Sequence, residues 1–301
     1  MNSDKYLLKG TTHQICQDYN DTFKFSFGKD SSQGTTLSVV SDGCSLVMDE
    51  NGNNLDAPTD IGSRILTRSM YQVLSGEGTS KFLTYMEDIY HSVILRSYSV
   101  ALDLGLDYSA LSATLLNLVT TTHGFTVSMV GDGYHMVRKR GTSSWEIKHF
   151  AFTRRPYYLV MELSTRDKLN YLETFPEYGA FETVYKIDLD TKETVVETTY
   201  FTKTDLGMSL EEFSPPIRRY FYSAQEYDIV SITSDGLGSF VIGGDRVLKE
   251  APLLQVFERF FSYKNYSGSF VLRRSDKATK ELLRENIYNQ DDLSICSSYI
   301  P

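Results

Sequence analysis

Strand periodicity and helix periodicity occupy separate stretches of this chain, and that separation excludes a parallel sheet wound through alternating βαβ units. Near the start Phe23, Phe25 and Phe27 alternate with Lys24 and Ser26, as a half-buried strand requires. Leu37-Ser38-Val39-Val40 forms a second strand that ends at the turn Ser41-Asp42-Gly43. Helical spacing then takes over. Ile61, Ile65, Met70, Val73 and Leu74 share one face of a first helix; Phe82, Met86, Ile89, Val93, Ser97 and Val100 share one face of a second, with Thr79 or Ser80 as its N-cap. The break at Gly76-Glu77-Gly78 predicts an antiparallel pair whose apolar faces cover another layer. From Ser112 onward strands return at 113–119, 125–130, 134–138 and 145–150, joined at Gly124, Gly131-Asp132-Gly133 and Gly141 in the manner of a meander. A hairpin over 183–187 and 194–200 turns at Asp190-Thr191-Lys192, and 228–233 is a further strand. Helices over 252–263 and 277–286 precede a last strand over 293–297. Residues 152–180 and 202–225, with Arg154-Arg155-Pro156 and Pro215-Pro216, read as loop-rich excursions. The expectation is an α+β sandwich of antiparallel sheets with helical outer layers.

Composition narrows the partners. The 301 residues are 41% hydrophobic and 23% charged, a globular balance. A net charge of −9 and a pI near 5.1 argue against a general nucleic-acid binder, whose phosphate contacts need a basic face. Cys16, Cys44 and Cys296 cannot all pair within one chain and have no zinc-ligand spacing, which points to a reducing compartment. No stretch approaches the roughly 20 apolar residues of a membrane span. Met1-Asn2-Ser3-Asp4-Lys5 lacks the basic and apolar runs of a secretory leader. A cytoplasmic protein with neither nucleic-acid nor membrane partners is expected.

Carboxylates recur where apolar β runs end or begin. Asp42 follows Val39-Val40-Ser41, Asp235 follows Ile229-Val230-Ser231-Ile232-Thr233-Ser234, Asp291 and Asp292 precede Leu293-Ser294-Ile295, and Asp18 precedes the Phe23 strand. Hard divalent cations need several oxygen ligands on rigid elements, and Asp at strand ends supplies them. A single Asp-Gly is a common turn dipeptide and carries little weight alone. The Asp49-x-Asn51-x-Asn53 run opens like a calcium loop, but Asn54 stands where that loop needs Gly and Asp60 where it needs Glu, so it reads as an exposed loop.

Together these motifs resemble those of the metal-dependent type 2C Ser/Thr protein phosphatases, over essentially the whole chain and most closely a divergent bacterial subset. The opening Gly-x-x-His and Gln-Asp are Gly10-Thr11-Thr12-His13 and Gln17-Asp18; Val-x-Asp-Gly is Val40-Ser41-Asp42-Gly43. Asp60-Ile61-Gly62-Ser63-Arg64 resembles the start of the first helix and Ser112-Ala113-Thr114-Leu115 the Ser-x-x-Thr strand. Gly131-Asp132-Gly133-Tyr134 stands for Gly-Asp-Ser-Arg, Asp235-Gly236-Leu237 for Asp-Gly-Leu, and Asp291-Asp292-Leu293-Ser294 for the closing Asp-Asn-x-Thr. The resemblance implies a single catalytic domain over 1–301, a four-layer αββα sandwich with a flap-like excursion within 152–225. It also implies two Mn²⁺ or Mg²⁺ ions in a cleft at one end.

In such a site Asp42 would bridge the ions, Asp235 and Asp291 would complete the first, and Asp18 and the Gly43 carbonyl would serve the second. A water shared by the ions would attack phosphoserine or phosphothreonine in line, without a phosphoenzyme. The substrate would be a phosphoprotein, opposed to a Ser/Thr kinase. The chain also departs from the pattern. Gln17 replaces a ligand Glu, which weakens the second metal and shifts weight to Asp18. His13 falls where the family binds phosphate with Arg, and an imidazolium there lacks the bidentate fork. Cys44 occupies the position of a general-acid His. Asp132 is kept, but Ser239 replaces the other acid of a third metal site, which weakens the case for a third ion. The departures at Gln17, His13 and Ser239 leave open a pseudophosphatase acting as a regulatory binding module, and the same chemistry would also permit a small-molecule phosphomonoesterase.

Overall fold

The structure is a computed structural model and describes residues 1–25, 34–44, 47–48, 54–55, 58–77, 84–210, 212–243 and 248–301. In chain order its strands are β1 (Asn2–Leu8), β2 (Tyr19–Phe25), β3 (Thr35–Ser41), β4 (Val47–Met48), β5 (Asn54–Leu55), β6 (Leu115–Thr121), β7 (Gly124–Val130), β8 (Gly133–Lys139) and β9 (Ser144–Phe152). They continue with β10 (Ala180–Asp188), β11 (Thr194–Phe201), β12 (Arg218–Ser223), β13 (Tyr227–Thr233), β14 (Phe240–Ile242), β15 (Lys249–Glu250), β16 (Ile287–Asn289) and β17 (Leu293–Tyr299). The α-helices are α1 (Thr59–Glu77), α2 (Met86–Asp103), α3 (Thr165–Thr174), α4 (Leu253–Phe261) and α5 (Phe270–Arg284).

Two antiparallel sheets form the middle of the molecule: seven strands ordered β1-β17-β13-β8-β9-β10-β11 and five ordered β12-β7-β6-β3-β2. Every residue of β3 is buried, because β2 and β6 flank it and other layers cover both its faces. One apolar core fills the space between the sheets and runs under α1 and α2 through Leu66, Met70, Leu74, Tyr90 and Val93. A second lies between the seven-stranded sheet and the α4–α5 pair, where Phe257, Phe260, Phe261 and Phe270 meet Trp145 and Ile295. Burial of this many aromatic and branched side chains, each worth about 1.5–3 kcal/mol, drives the layers together. The expected α+β sandwich with a helix pair outside each sheet is therefore present.

Several elements differ from the sequence expectation. The first strand is β1, which pairs with the last strand along its whole length (Asn2 with Tyr299, Leu8 with Leu293). Its polar start is half-buried and paired across space: Ser3 Oγ lies 2.7 Å from Ser298 Oγ, and Asp4 Oδ2 accepts the backbone N–H groups of Val271 (2.7 Å) and Leu272 (3.1 Å) at the start of α5. That cap lets α5 begin at Phe270 rather than near residue 277. The strand expected from residue 113 begins at Leu115, since Ala113 makes an isolated bridge to Gly43 instead. Within the stretches 152–180 and 202–225, read as loop-rich, the structure adds α3 and β12. In α3 the inward face is Lys168, Tyr171 and Leu172, so an apolar count misses it, while Ser164 caps it by accepting from Asp167 N. Strand β12 adds an edge to β7 with Arg218 packed over the rings of Phe150 and Phe201. Phe27, Thr79, Ser80, Phe82 and the Asp49-x-Asn51-x-Asn53 run lie outside the described residues.

Candidate metal centre

Strand register gathers the acidic turns. Tyr19 pairs with Ser41, which sets Asp18 beside Asp42. Val40 pairs with Leu116, and the Asp42 turn is clamped there: Thr114 N–H donates to the Asp42 carbonyl (2.9 Å), Asp42 N–H to Thr114 Oγ1 (3.1 Å), and Ser41 Oγ to the Thr114 carbonyl (2.7 Å). In the other sheet Thr233 pairs with both Tyr134 and Ile295, so Asp235 meets Asp132 on one side and the turn before β17 on the other. Gly131, at φ 91°, makes the turn that carries Asp132 from one sheet to the other. The approach of the 236 and 292 backbones is close enough that a Cβ on Gly236 would sit 1.7 Å from the Asp292 carbonyl oxygen. Asp18, Asp42, Asp132, Asp235 and Asp291 thus lie close enough at these strand ends for their charges to act on one another.

The electrostatics of this group are unusual. Asp18 is 2% exposed, and neither of its carboxylate oxygens has a hydrogen-bond partner of normal geometry. Burial, and then the charges of Asp292 and Asp235, push its carboxyl up to about 7, against the partial relief of the nearby Asp42 and Ser234 side chains. Burial and the neighbouring Asp18, Asp235 and Asp291 hold the Asp42 carboxyl well above its usual range. Burial and then Asp235 push Asp132 up to about 8. Burial and then Asp291 raise Asp235, with His13 the basic group that eases it, and Asp235 Oδ1 is also buried without a partner. Of these carboxylates Asp18 is buried and Asp42, Asp132, Asp235 and Asp291 are half-buried; acids that face chiefly one another out of bulk water are costly unless cations neutralise them. The donors are all oxygens on strand ends, the chemistry that hard divalent ions take. The residues fit such ions.

The remaining expected residues have definite places. Gly43 is buried between backbone carbonyls, since a Cβ there would come 2.8 Å from the oxygens of Gln17 and Thr59. Gln17 acts largely through its backbone, donating its N–H to Asp292 Oδ2 (2.6 Å) and accepting from Ser63 Oγ (2.8 Å), while its amide nitrogen lies 3.4 Å from Thr59 Oγ1. Ser239 donates to the Gly236 carbonyl (2.9 Å) and accepts from Asp291 N–H (3.1 Å), so it shapes the Asp291 turn. His13 turns its ring nitrogens toward Asp291 and Asp292. Arg154 and Arg155 are exposed.

Two residues escape sequence reasoning. Asp292, 1% exposed, accepts N–H bonds from Gly10 (2.7 Å) and Gln17 (2.6 Å) and ties the opening motif to the closing one. Its place beside Asp291 was a signal, though one that did not separate ligand from brace. Tyr158, 7% exposed, has its phenol pushed well up by burial and then by Cys44, Asp132 and Asp42. It comes from a segment with no periodicity to announce it.

Among solved structures, a bacterial serine phosphatase superposes with a TM-score of 0.54 at 12% identity, over 100% of this chain and 98% of its own. The serine/threonine phosphatase Stp1 from Staphylococcus aureus gives 0.52 at 12% identity, over 100% and 96%. A serine-threonine phosphatase 2C from Toxoplasma gondii gives 0.51 at 11% identity, over 99% and 94%. No family model matches the chain, and no curated protein sequence does. At these identities the likeness is one of fold: the chain has the α+β sandwich fold of the type 2C Ser/Thr phosphatases. Among the described residues no helix is long and apolar enough to cross a membrane.

Proposed function

We propose that this chain is a metal-dependent phosphatase that hydrolyses phosphoserine and phosphothreonine in proteins, opposing a Ser/Thr kinase. The observation that carries this reading is Asp18, a buried carboxyl with no hydrogen bond of normal geometry and only partial relief from the Asp42 and Ser234 side chains, set against Asp42 and Asp235 at the junction of the two sheets. Two Mn²⁺ or Mg²⁺ ions held there would neutralise phosphoryl oxygens and bring the pKa of water toward 7. Asp42, acted on by Asp18, Asp235 and Asp291 together, would serve both ions. Asp235 and Asp291 would complete one, Asp18 and the Gly43 carbonyl the other, and Asp132 would extend the cluster. Clamping of the Asp42 backbone to Thr114 holds the ligands before ions arrive, which is what preorganisation requires. Cys44, packed beside Tyr158, is not the nucleophile.

The test is hydrolysis of a phosphothreonine peptide and of p-nitrophenyl phosphate in EDTA, Mg²⁺ and Mn²⁺, with Asp42→Asn and Asp235→Asn as controls. Metal-dependent turnover should fall by at least about 100-fold in both variants, on the scale seen when a key electrostatic group is removed. A folded wild type no faster than the variants at millimolar Mn²⁺ would leave the binding-module reading. Turnover of p-nitrophenyl phosphate without the peptide would favour a small-molecule phosphomonoesterase.

A further inference from the structure

The opening motif is stapled to the turn that carries Asp291. Thr11 and Thr12 donate both their N–H and hydroxyl groups to the carbonyls of Asn289 and Gln290, the hydroxyl bonds at 2.7 and 2.6 Å. On this brace the His13 ring sits with Nδ1 2.9 Å from Asp292 Oδ2 and Nε2 3.4 Å from Asp291 Oδ1. The two carboxylates differ. Asp292 is buried, and its oxygens already accept from Gly10 and Gln17, so it serves His13 as an acceptor and fixes the proton on Nδ1. Nε2 is then the nitrogen directed at the cluster. Its distance to Asp291 is longer than the roughly 2.9–3.0 Å of a good N–H···O bond, and His13 acts on Asp235 as well. A carboxylate that orients a histidine by its far nitrogen, leaving the near one to face anionic ligands, is the arrangement of a metal-binding histidine and its support.

We infer that His13 is itself a ligand of the ion held by Asp235 and Asp291, with Asp292 as its positioning residue. His13 then does not recognise phosphate in place of an arginine. This rests on the metal-dependent reading above. One nitrogen among oxygens also favours Mn²⁺ and other first-row ions over Mg²⁺, which is bound by oxygen and keeps several waters.

Pulsed EPR of the full chain loaded with Mn²⁺ reads the ligand directly. The wild type should show nitrogen modulation that changes when histidine is labelled with ¹⁵N, which needs no variant to fold. In His13→Gln the modulation should vanish and Mn²⁺ affinity fall at least about 10–100-fold, the range seen when even a ligand's supporting partner is lost, with Mg²⁺ affinity changed less than about threefold. Asp292→Asn should weaken Mn²⁺ in the same direction. Mn²⁺ bound in an Asp235-dependent way but without histidine nitrogen overturns this inference alone. Failure of the wild type to bind Mn²⁺, or equal binding by Asp235→Asn, overturns the metal centre itself.

Discussion

Replacing Asp18 by Asn should stabilise the protein without metal and weaken its response to metal. In the metal-free protein, burial and neighbouring acids bring the Asp18 carboxyl up to about 7, while in the unfolded chain it titrates near 4. The folded state therefore holds this proton more tightly. Stability from this group is fully present below about pH 4 and is lost as pH rises through about 7. At about 1.4 kcal/mol per pH unit the interval amounts to roughly 4 kcal/mol. Part of that belongs jointly to Asp18 and Asp42, so Asp18→Asn should recover about 2–4 kcal/mol at pH 8. In a chain of this size that corresponds to a rise of about 3–6 °C in Tm. Thermal melts in EDTA at pH 8 and pH 4, with and without millimolar Mn²⁺, provide the assay. The gain should appear at pH 8, nearly vanish at pH 4, and shrink or reverse with Mn²⁺, because the wild type gains more from the ion through linkage. A lower Tm for Asp18→Asn in EDTA at pH 8, or equal Mn²⁺ shifts in both proteins, would refute the reasoning.

Gly236→Ala should destabilise by about 3 kcal/mol or more, because its Cβ would lie 1.7 Å from the Asp292 carbonyl; an unchanged denaturation midpoint would contradict that close approach. Lys168 is buried with Nζ 2.7 Å from Glu162, and it also donates to the Glu212 carbonyl at 2.6 Å. Lys168→Met should therefore cost roughly 3–5 kcal/mol, and adding Glu162→Gln should return much of that, as read by a urea double-mutant cycle. His149, stacked on Tyr134 at 4.1 Å, is pushed down to about 4 by burial. The unfolded chain takes up its proton first, so stability is full above about pH 6.5 and is lost toward pH 4 at about 1.4 kcal/mol per pH unit. His149→Phe should flatten the fall in stability between pH 6.5 and 4.5 in denaturant titrations, and an unchanged slope would show that His149 is not the source.

Sheet periodicity and strand-end acids were legible in the sequence because each follows from local chemistry. Alternation marks β2 through Phe23 and Phe25, and an Asp where a strand stops is visible without knowing what it faces; glycine turns mark the β6–β7 and β8–β9 hairpins, but the single meander expected over them is split between the two sheets at Gly131. Strand β1 was not legible because its polar start is satisfied across space, by Asp4 capping α5. Helix α3 was hidden because its buried face includes Lys168, whose burial depends on Glu162, in a different element. At the site, Asp18, Asp42, Asp132, Asp235 and Asp291 all stand in motifs that resemble those of the type 2C phosphatases. The roles of Asp292 and Tyr158 depend on long-range packing, which no local pattern encodes. His13 shows the same limit: its position in the motif was plain, but the direction of its ring is set by Asp292 at the far end of the chain.

Equilibrium dialysis of the full chain against Mn²⁺ tests the metal centre most directly, with Asp42→Asn and Asp235→Asn alongside. Two ions per chain should bind the wild type, and Asp42→Asn should weaken both, since the charges of Asp18, Asp235 and Asp291 all act on Asp42. A folded wild type that binds no Mn²⁺ at millimolar concentration, or that binds it equally well without the Asp42 carboxylate, would contradict the assignment of this cluster as a phosphatase metal centre.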